Sequence, residues 1–333
     1  LVFALLAIAD RFRPSFVFFL SSFLAALANL AMILLAKDYW GIMITRFITG
    51  FFIAGIYPVG MKIAADWYEK GLGRALGWLV GALVLGTAFP HLLKGSSLHL
   101  SPANITWFTS VFALLGGVLI LLFVKEGPHR KRGQEFHPKN ILQVFRNRDF
   151  RAAAFGYFGH MWELYTFWAF VPVLLQLNLA YNHISFNISF WSFMIIGIGC
   201  LSCIAGGYIS QKTGSAKVAF YALLGSGLCC ALSFIFLHAA PLIFLVFLFI
   251  WGITVIADSP QFSTLVAQTA ATEHKGTALT IVTSIGFAIT IVSVQLMNYL
   301  FNRSGLSPAY IFIFLLPGPV AGLAFLFKYL KKN

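Results

Sequence analysis

Apolar runs of about twenty residues, separated by short polar breaks, fill nearly the whole of this chain. A bilayer core of ~30 Å takes about 20 residues of helix. Inside it every backbone N–H must find a partner within the segment, which favours helices. Charged residues make up 10% of the sequence, against about a quarter in a water-soluble domain. The pattern therefore predicts an all-α membrane protein. The spans read Ser15–Ala36, Gly41–Ala65, Leu72–Leu92, Ile105–Val124, Arg151–Leu175, Phe186–Ser210, Val218–His238, Leu242–Gln268, Thr277–Phe301 and Pro308–Phe327. Nine further apolar residues precede Asp10. They would rise ~14 Å as helix, half a bilayer. They read as the stub of an eleventh span whose beginning is missing.

The basic residues alternate between the two sides of these spans. One side holds 18 Lys and Arg and the other three, with Arg46 and Lys62 inside a span. Such a split marks the first side as cytoplasmic. The loop after Val124 and the C-terminus are both on it. The net charge of +13 is thus a matter of topology. Nucleic-acid binding would need the charge on a soluble domain, and none is visible. Four cysteines, Cys200, Cys203, Cys229 and Cys230, lie within spans and read as small packing residues.

The chain repeats itself. Residues 6–13 align with 207–214 at an offset of 201, and Gly73-Arg74-Ala75-Leu76 matches Gly276-Thr277-Ala278-Leu279 at 203. Gly50 and Pro58 match Gly252 and Pro260 at 202. A near-constant offset argues for a duplicated bundle. The division is residues 1–124, a linker at 125–150, and residues 151–333. The second bundle has six spans, so the intact protein would have twelve.

Paired six-helix bundles are a common secondary-transporter architecture. Ala9-Asp10-Arg11 resembles the loop signature of the major facilitator superfamily, with Leu6 and Arg13 where that signature has glycine. Residues 207–214 repeat it with the glycines better kept, and Arg46-Phe47-x-x-Gly50 resembles the family's fourth-span signature. The resemblance covers the whole chain. It implies two pseudo-symmetric six-helix halves, the first truncated here (spans 2–6), the second complete (spans 7–12). It implies that Asp10, with Arg11 as partner, latches the outward-facing state, and that span 7 lines the central cavity. It ties Arg46 to proton transfer or packing near span 1.

Ionisable side chains at bilayer depth mark function by default. His160 and Glu163 lie ~14 and ~18 Å along the helix from Arg151 and share a face, with Gly156 opening room one turn earlier. A carboxyl away from water resists ionisation and an imidazole titrates near neutrality, so the pair reads as a proton carrier. A metal centre would want Glu-x-x-His in two copies; the order here is His-x-x-Glu, once. Arg46 needs a carboxylate or a bound anion if buried. Asp258, followed by Pro260, Gln261, Ser263 and Thr264, reads as a broken polar stretch on a cavity wall, and Tyr57-Pro58 sits at the matching place in the first half. Lys62 and Asp66, four apart, are expected to snorkel and pair at the interface.

These residues predict a proton-coupled secondary transporter of a small solute, working by alternating access. A membrane enzyme using His160 and Glu163 lacks a nucleophile–base set, and a receptor on the same fold would bring a soluble domain. No Walker-type phosphate loop occurs, so an ion gradient is expected to supply the energy, with no cofactor. The expected setting is a bacterial inner membrane, as a monomer, with solute and lipid as the partners.

Overall fold

A computed structural model describes residues 8–35, 38–95, 101–130 and 144–331. Most of the N-terminal stub and half of the 125–150 linker lie outside the described residues. The described residues form helices and no strands, and ten helical runs are long and apolar enough to cross a membrane. After a single turn at Ile8–Arg11 come α1 (Pro14–Leu35), α2 (Tyr39–Ile53), α3 (Tyr57–Trp67), α4 (Leu72–Gly95) and α5 (Pro102–Phe123). Then follow α6 (Arg148–Asn182), α7 (Ile188–Thr213), α8 (Ser215–Phe236), α9 (Pro241–Ala257), α10 (Ser259–Thr269) and α11 (Lys275–Arg303). The last span opens with Pro308–Ile311 and a 3₁₀ turn, Phe312–Leu315, and ends in α12 (Pro317–Leu330).

Helix starts follow capping chemistry. The side chains of Asp38, Ser101, Asn147 and Asn187 each accept a backbone N–H of the first turn they precede, satisfying donors the helix leaves open. Gly214 (φ 86) separates α7 from α8 in a conformation that favours glycine. The helix from Arg148 runs to Asn182, seven residues past the sequence reading. There Asn178 donates to Leu237 O and Ala239 O at 2.8 and 2.9 Å, and Asn182 donates to Ala239 O. Polar residues that resemble a loop are thus helical ones with partners on another segment.

Among the described residues three spans are interrupted: at α2/α3 and α9/α10, the places of Pro58 and Pro260, and at the 3₁₀ turn before α12. Proline cannot donate to the carbonyl four residues back. For Pro260 that carbonyl is Ile256 O, and it accepts instead from the Asp258 backbone N–H and, at 3.5 Å, from the Cys203 thiol. One cysteine read as packing therefore also re-satisfies a broken helix, as membrane interiors require.

The chain packs as two compact units. One draws its residues from within Leu1–Leu72, Leu98–Val144 and Ala270–Ser284, and the other from within Gly73–Ser97, Phe145–Thr269 and Ile285–Asn333. In the first, α1 packs on α2 and α5. Asn29 of α1 donates to Ser110 Oγ of α5 at 3.0 Å. In the second, α6 packs along α12 with glycines at the contact: a Cβ on Gly322 would meet Gly156 O at 3.2 Å, and one on Gly318 would meet Gly159 O at 2.6 Å. Small residues here let two backbones touch. Gly77 and Gly81 of α4 do the same against the Cys203 and Cys200 carbonyls of α7.

Candidate functional site

In the second unit α6 carries His160 and Glu163, both buried. They sit three residues apart and take different partners. The Glu163 carboxyl accepts from Trp251 Nε1 of α9 at 2.6 Å and from two α8 groups, Ser226 Oγ at 2.8 Å and Cys230 Sγ at 3.3 Å. The Trp251 ring stacks on Phe167, one turn along α6, with centroids 4.6 Å apart. Glu163 thereby ties three helices together through three donors. Trp251 and Ser226 were not singled out from the sequence, where nothing but the general need of a buried carboxyl for donors points to them, and Cys230, read there as a small packing residue, also donates to Glu163.

His160 faces Asp258. Its Nδ1 lies 2.8 Å from Asp258 Oδ1, and both residues are buried. The contact has ion-pair distance without hydrogen-bond alignment, and none of the four ring and carboxyl heteroatoms has an aligned partner among the described residues. Asp258 sits in the α9/α10 break, so this contact joins the middle of α6 to the interruption in the other span. The room Gly156 leaves beside His160 is filled: a Cβ there would lie 2.9 Å from Phe262 Cζ. His160 is bordered by Tyr157 and Phe262, with ring centroids 5.8 and 6.2 Å away. Gln261, one turn beyond Asp258, is fully buried with both amide atoms unpartnered among the described residues. Of the aromatics near Glu163, Trp162 donates to Phe314 O at 3.1 Å, while buried Trp168 leaves its Nε1 unpartnered among the described residues.

In the first unit Asp10 is buried at the N-terminus of α11. It accepts from Gly276 N at 3.0 Å, and from Thr277 N and Thr277 Oγ1 at 2.7 Å each. A carboxylate at a helix N-terminus is favoured by the open N–H groups and the dipole. Gly276 is required: a Cβ would lie 2.7 Å from Asp10 Oδ1. Lys62 Nζ stands 3.6 Å from Asp10 and 2.7 Å from Asp66. The Lys62–Asp66 pair therefore forms as expected, but buried rather than at the interface, because Asp10 gives the ammonium a second carboxylate. Arg11 is exposed. Arg46 is exposed too, donating to the neutral Asn29 Oδ1 at 3.1 Å. Tyr57 is half-buried at the first turn of α3. Among the described residues no three metal-ligating side chains gather.

A family model described as Major Facilitator Superfamily matches residues 1–294. A galacturonate transporter of Dickeya chrysanthemi is 25% identical over 195 residues, covering 53% of this chain and 56% of the relative. The chain thus matches little more than half the length of that curated relative. Among solved structures, the human organic anion transporter MFSD10 (TETRAN) superposes with a TM-score of 0.75 at 17% identity, over 97% of this chain and 79% of its own. The E. coli fucose:proton symporter FucP gives 0.68 at 13% identity, over 98% and 86%. These two likenesses establish the fold.

Proposed function

Because this chain belongs to the Major Facilitator Superfamily, we propose that it moves a small organic solute by alternating access, driven by a proton gradient, with His160 and Asp258 as the proton-carrying pair. Family and fold point to a transporter rather than to an enzyme. The observation that carries the proton reading is the His160–Asp258 contact, 2.8 Å long and buried. A proton taken up by either partner changes the pair's charge, and in a low-dielectric setting that changes the attraction strongly. The contact ends at a helix break, where Pro260 interrupts the regular i to i−4 ladder. Glu163, with three aligned donors, is already fixed and suits a holding role.

The solute class proposed is the sugar acids, which the galacturonate-transporting relative suggests. Arg46 is the candidate for the solute carboxylate, since its hydrogen bond goes to the neutral Asn29 and not to a carboxylate. The moving bodies are proposed to be the chain-order halves, residues 1–124 and 151–333, with the linker and C-terminus cytoplasmic.

The test is uptake by the full-length protein in proteoliposomes. Galacturonate should accumulate under an inward proton gradient and glucose should not. Asp258→Asn should abolish that accumulation while keeping solute counterflow, which also shows that the variant is folded. Arg46→Gln should raise KM more than it lowers kcat. Accumulation by Asp258→Asn equal to the parent would remove the pair from the coupling step. Transport of glucose but not galacturonate would remove the sugar-acid assignment.

A further inference from the structure

The outer face of the α6–α12 pair carries two grooves that meet at one residue. The first, of about 560 Å³, lies where α6 begins and α12 ends. Arg148, Arg151 and Lys328 line it with Asp149, Tyr329 and Phe325. It holds three cations against one carboxylate. Arg151 is anchored by donating from Nη1 to Phe145 O at 3.1 Å, so its charge is held in place. The second groove, of about 250 Å³, continues along the same two helices toward the bilayer middle and is almost wholly apolar. Phe155, Trp162, Pro317 and Ala321 of these helices help line it together with Ile289 of α11, and Phe325 belongs to both grooves. Phe155 and Phe325 stack at the junction, centroids 4.5 Å apart. The apolar groove exists because α6 and α12 meet through glycines, Gly159 against Gly318, which leave no side chains to fill the surface beside them.

From this order of chemistry we propose that the face binds one anionic phospholipid, its phosphate among Arg148, Arg151 and Lys328 and one acyl chain in the apolar groove. Basic pockets between membrane helices at a bilayer surface suit such headgroups. From Arg151 to Trp162 the helix rises ~16 Å, about half the bilayer core, which is the depth one leaflet's acyl chain occupies. A free phosphate would use the cations and ignore the apolar half. The bound lipid would fasten α6, the helix that carries His160 and Glu163, to α12. The inference rests on the membrane reading and is independent of the transport assignment.

The experiment is native mass spectrometry of the full-length protein exchanged from detergent into mixtures of phosphatidylglycerol and phosphatidylcholine. One phosphatidylglycerol should stay bound where phosphatidylcholine is lost. Each basic residue near a membrane surface contributes about fivefold in affinity. The double variant Arg148→Gln/Lys328→Gln should therefore bind roughly 25-fold more weakly. Ala321→Trp, which fills the apolar half and leaves the charges alone, should also weaken retention. Added glycerol phosphate should not displace the lipid. Equal retention of both lipids, unchanged binding in both variants, or displacement by glycerol phosphate would each overturn the proposal, the last by showing a site for free anions.

Discussion

Two buried carboxyls in the second unit have opposite surroundings, and their proposed roles differ on that ground. Glu163 meets three donors on two helices; Asp258 meets one imidazole at an unaligned 2.8 Å. Trp251→Phe keeps an aromatic ring to stack on Phe167 and removes the 2.6 Å donor. Hydrogen bonds inside membranes average less than in water, and those to charged groups lie at the upper end. The expected loss is about 1–2 kcal/mol, seen as a lower melting temperature in detergent with transport retained. Glu163→Gln should likewise lower stability and leave proton-driven accumulation largely intact. Abolished accumulation in a folded Glu163→Gln would return the coupling role to Glu163, the role its mid-membrane position alone suggests. That position was legible in the sequence, since a Glu in an apolar run demands partners. Which partners it has was not, because the i, i+3 spacing of His160 and Glu163 says nothing about the helices packed on either side of them.

At the level of elements, apolar run length located the ten membrane-length helical runs among the described residues, because bilayer thickness sets it. The helix ends were less legible: α6 keeps its polar end helical through Asn178 and Asn182, whose partners come from the segment around Leu237–Ala239. Proline marked the breaks at α2/α3 and α9/α10, and the repeat marked the helix start at Gly276-Thr277 that Asp10 caps. Arg11, the partner the family resemblance implies, is exposed, and Lys62 Nζ stands 3.6 Å from Asp10. Asp10→Asn keeps one acceptor oxygen, replaces the other with a donor facing N–H groups, and leaves Lys62 with Asp66 alone. A charge at a helix terminus in a buried setting contributes about 1 kcal/mol or somewhat more. If Asp10 holds one state of the cycle, the variant should turn over roughly fivefold more slowly, with equilibrium solute binding within a few-fold of the parent. Lost binding in a folded variant would mean that Asp10 belongs to the solute site instead.

For the molecule as a whole, orientation in the membrane is the property that sequence charge speaks to and packing does not. Lys and Arg split 18 to three between the two sides, and short basic loops are retained on the cytoplasmic side. The two sides can be probed at exposed positions next to span ends. Thr213 lies at the end of α7, before Gly214, and Leu306 lies between α11 and the last span; both are exposed. The native cysteines are a manageable background, since Cys203, Cys229 and Cys230 are buried and Cys200 lies inside α7. In intact cells a membrane-impermeant maleimide should label Leu306→Cys and spare Thr213→Cys, and permeabilisation should expose Thr213→Cys. That labelling result would put the basic groove of Arg148, Arg151 and Lys328 in the inner leaflet, since the start of α6 and the end of α12 would lie on the Thr213 side. Labelling of Thr213→Cys from outside, with Leu306→Cys protected, would invert the molecule and move that groove to the outer leaflet with it.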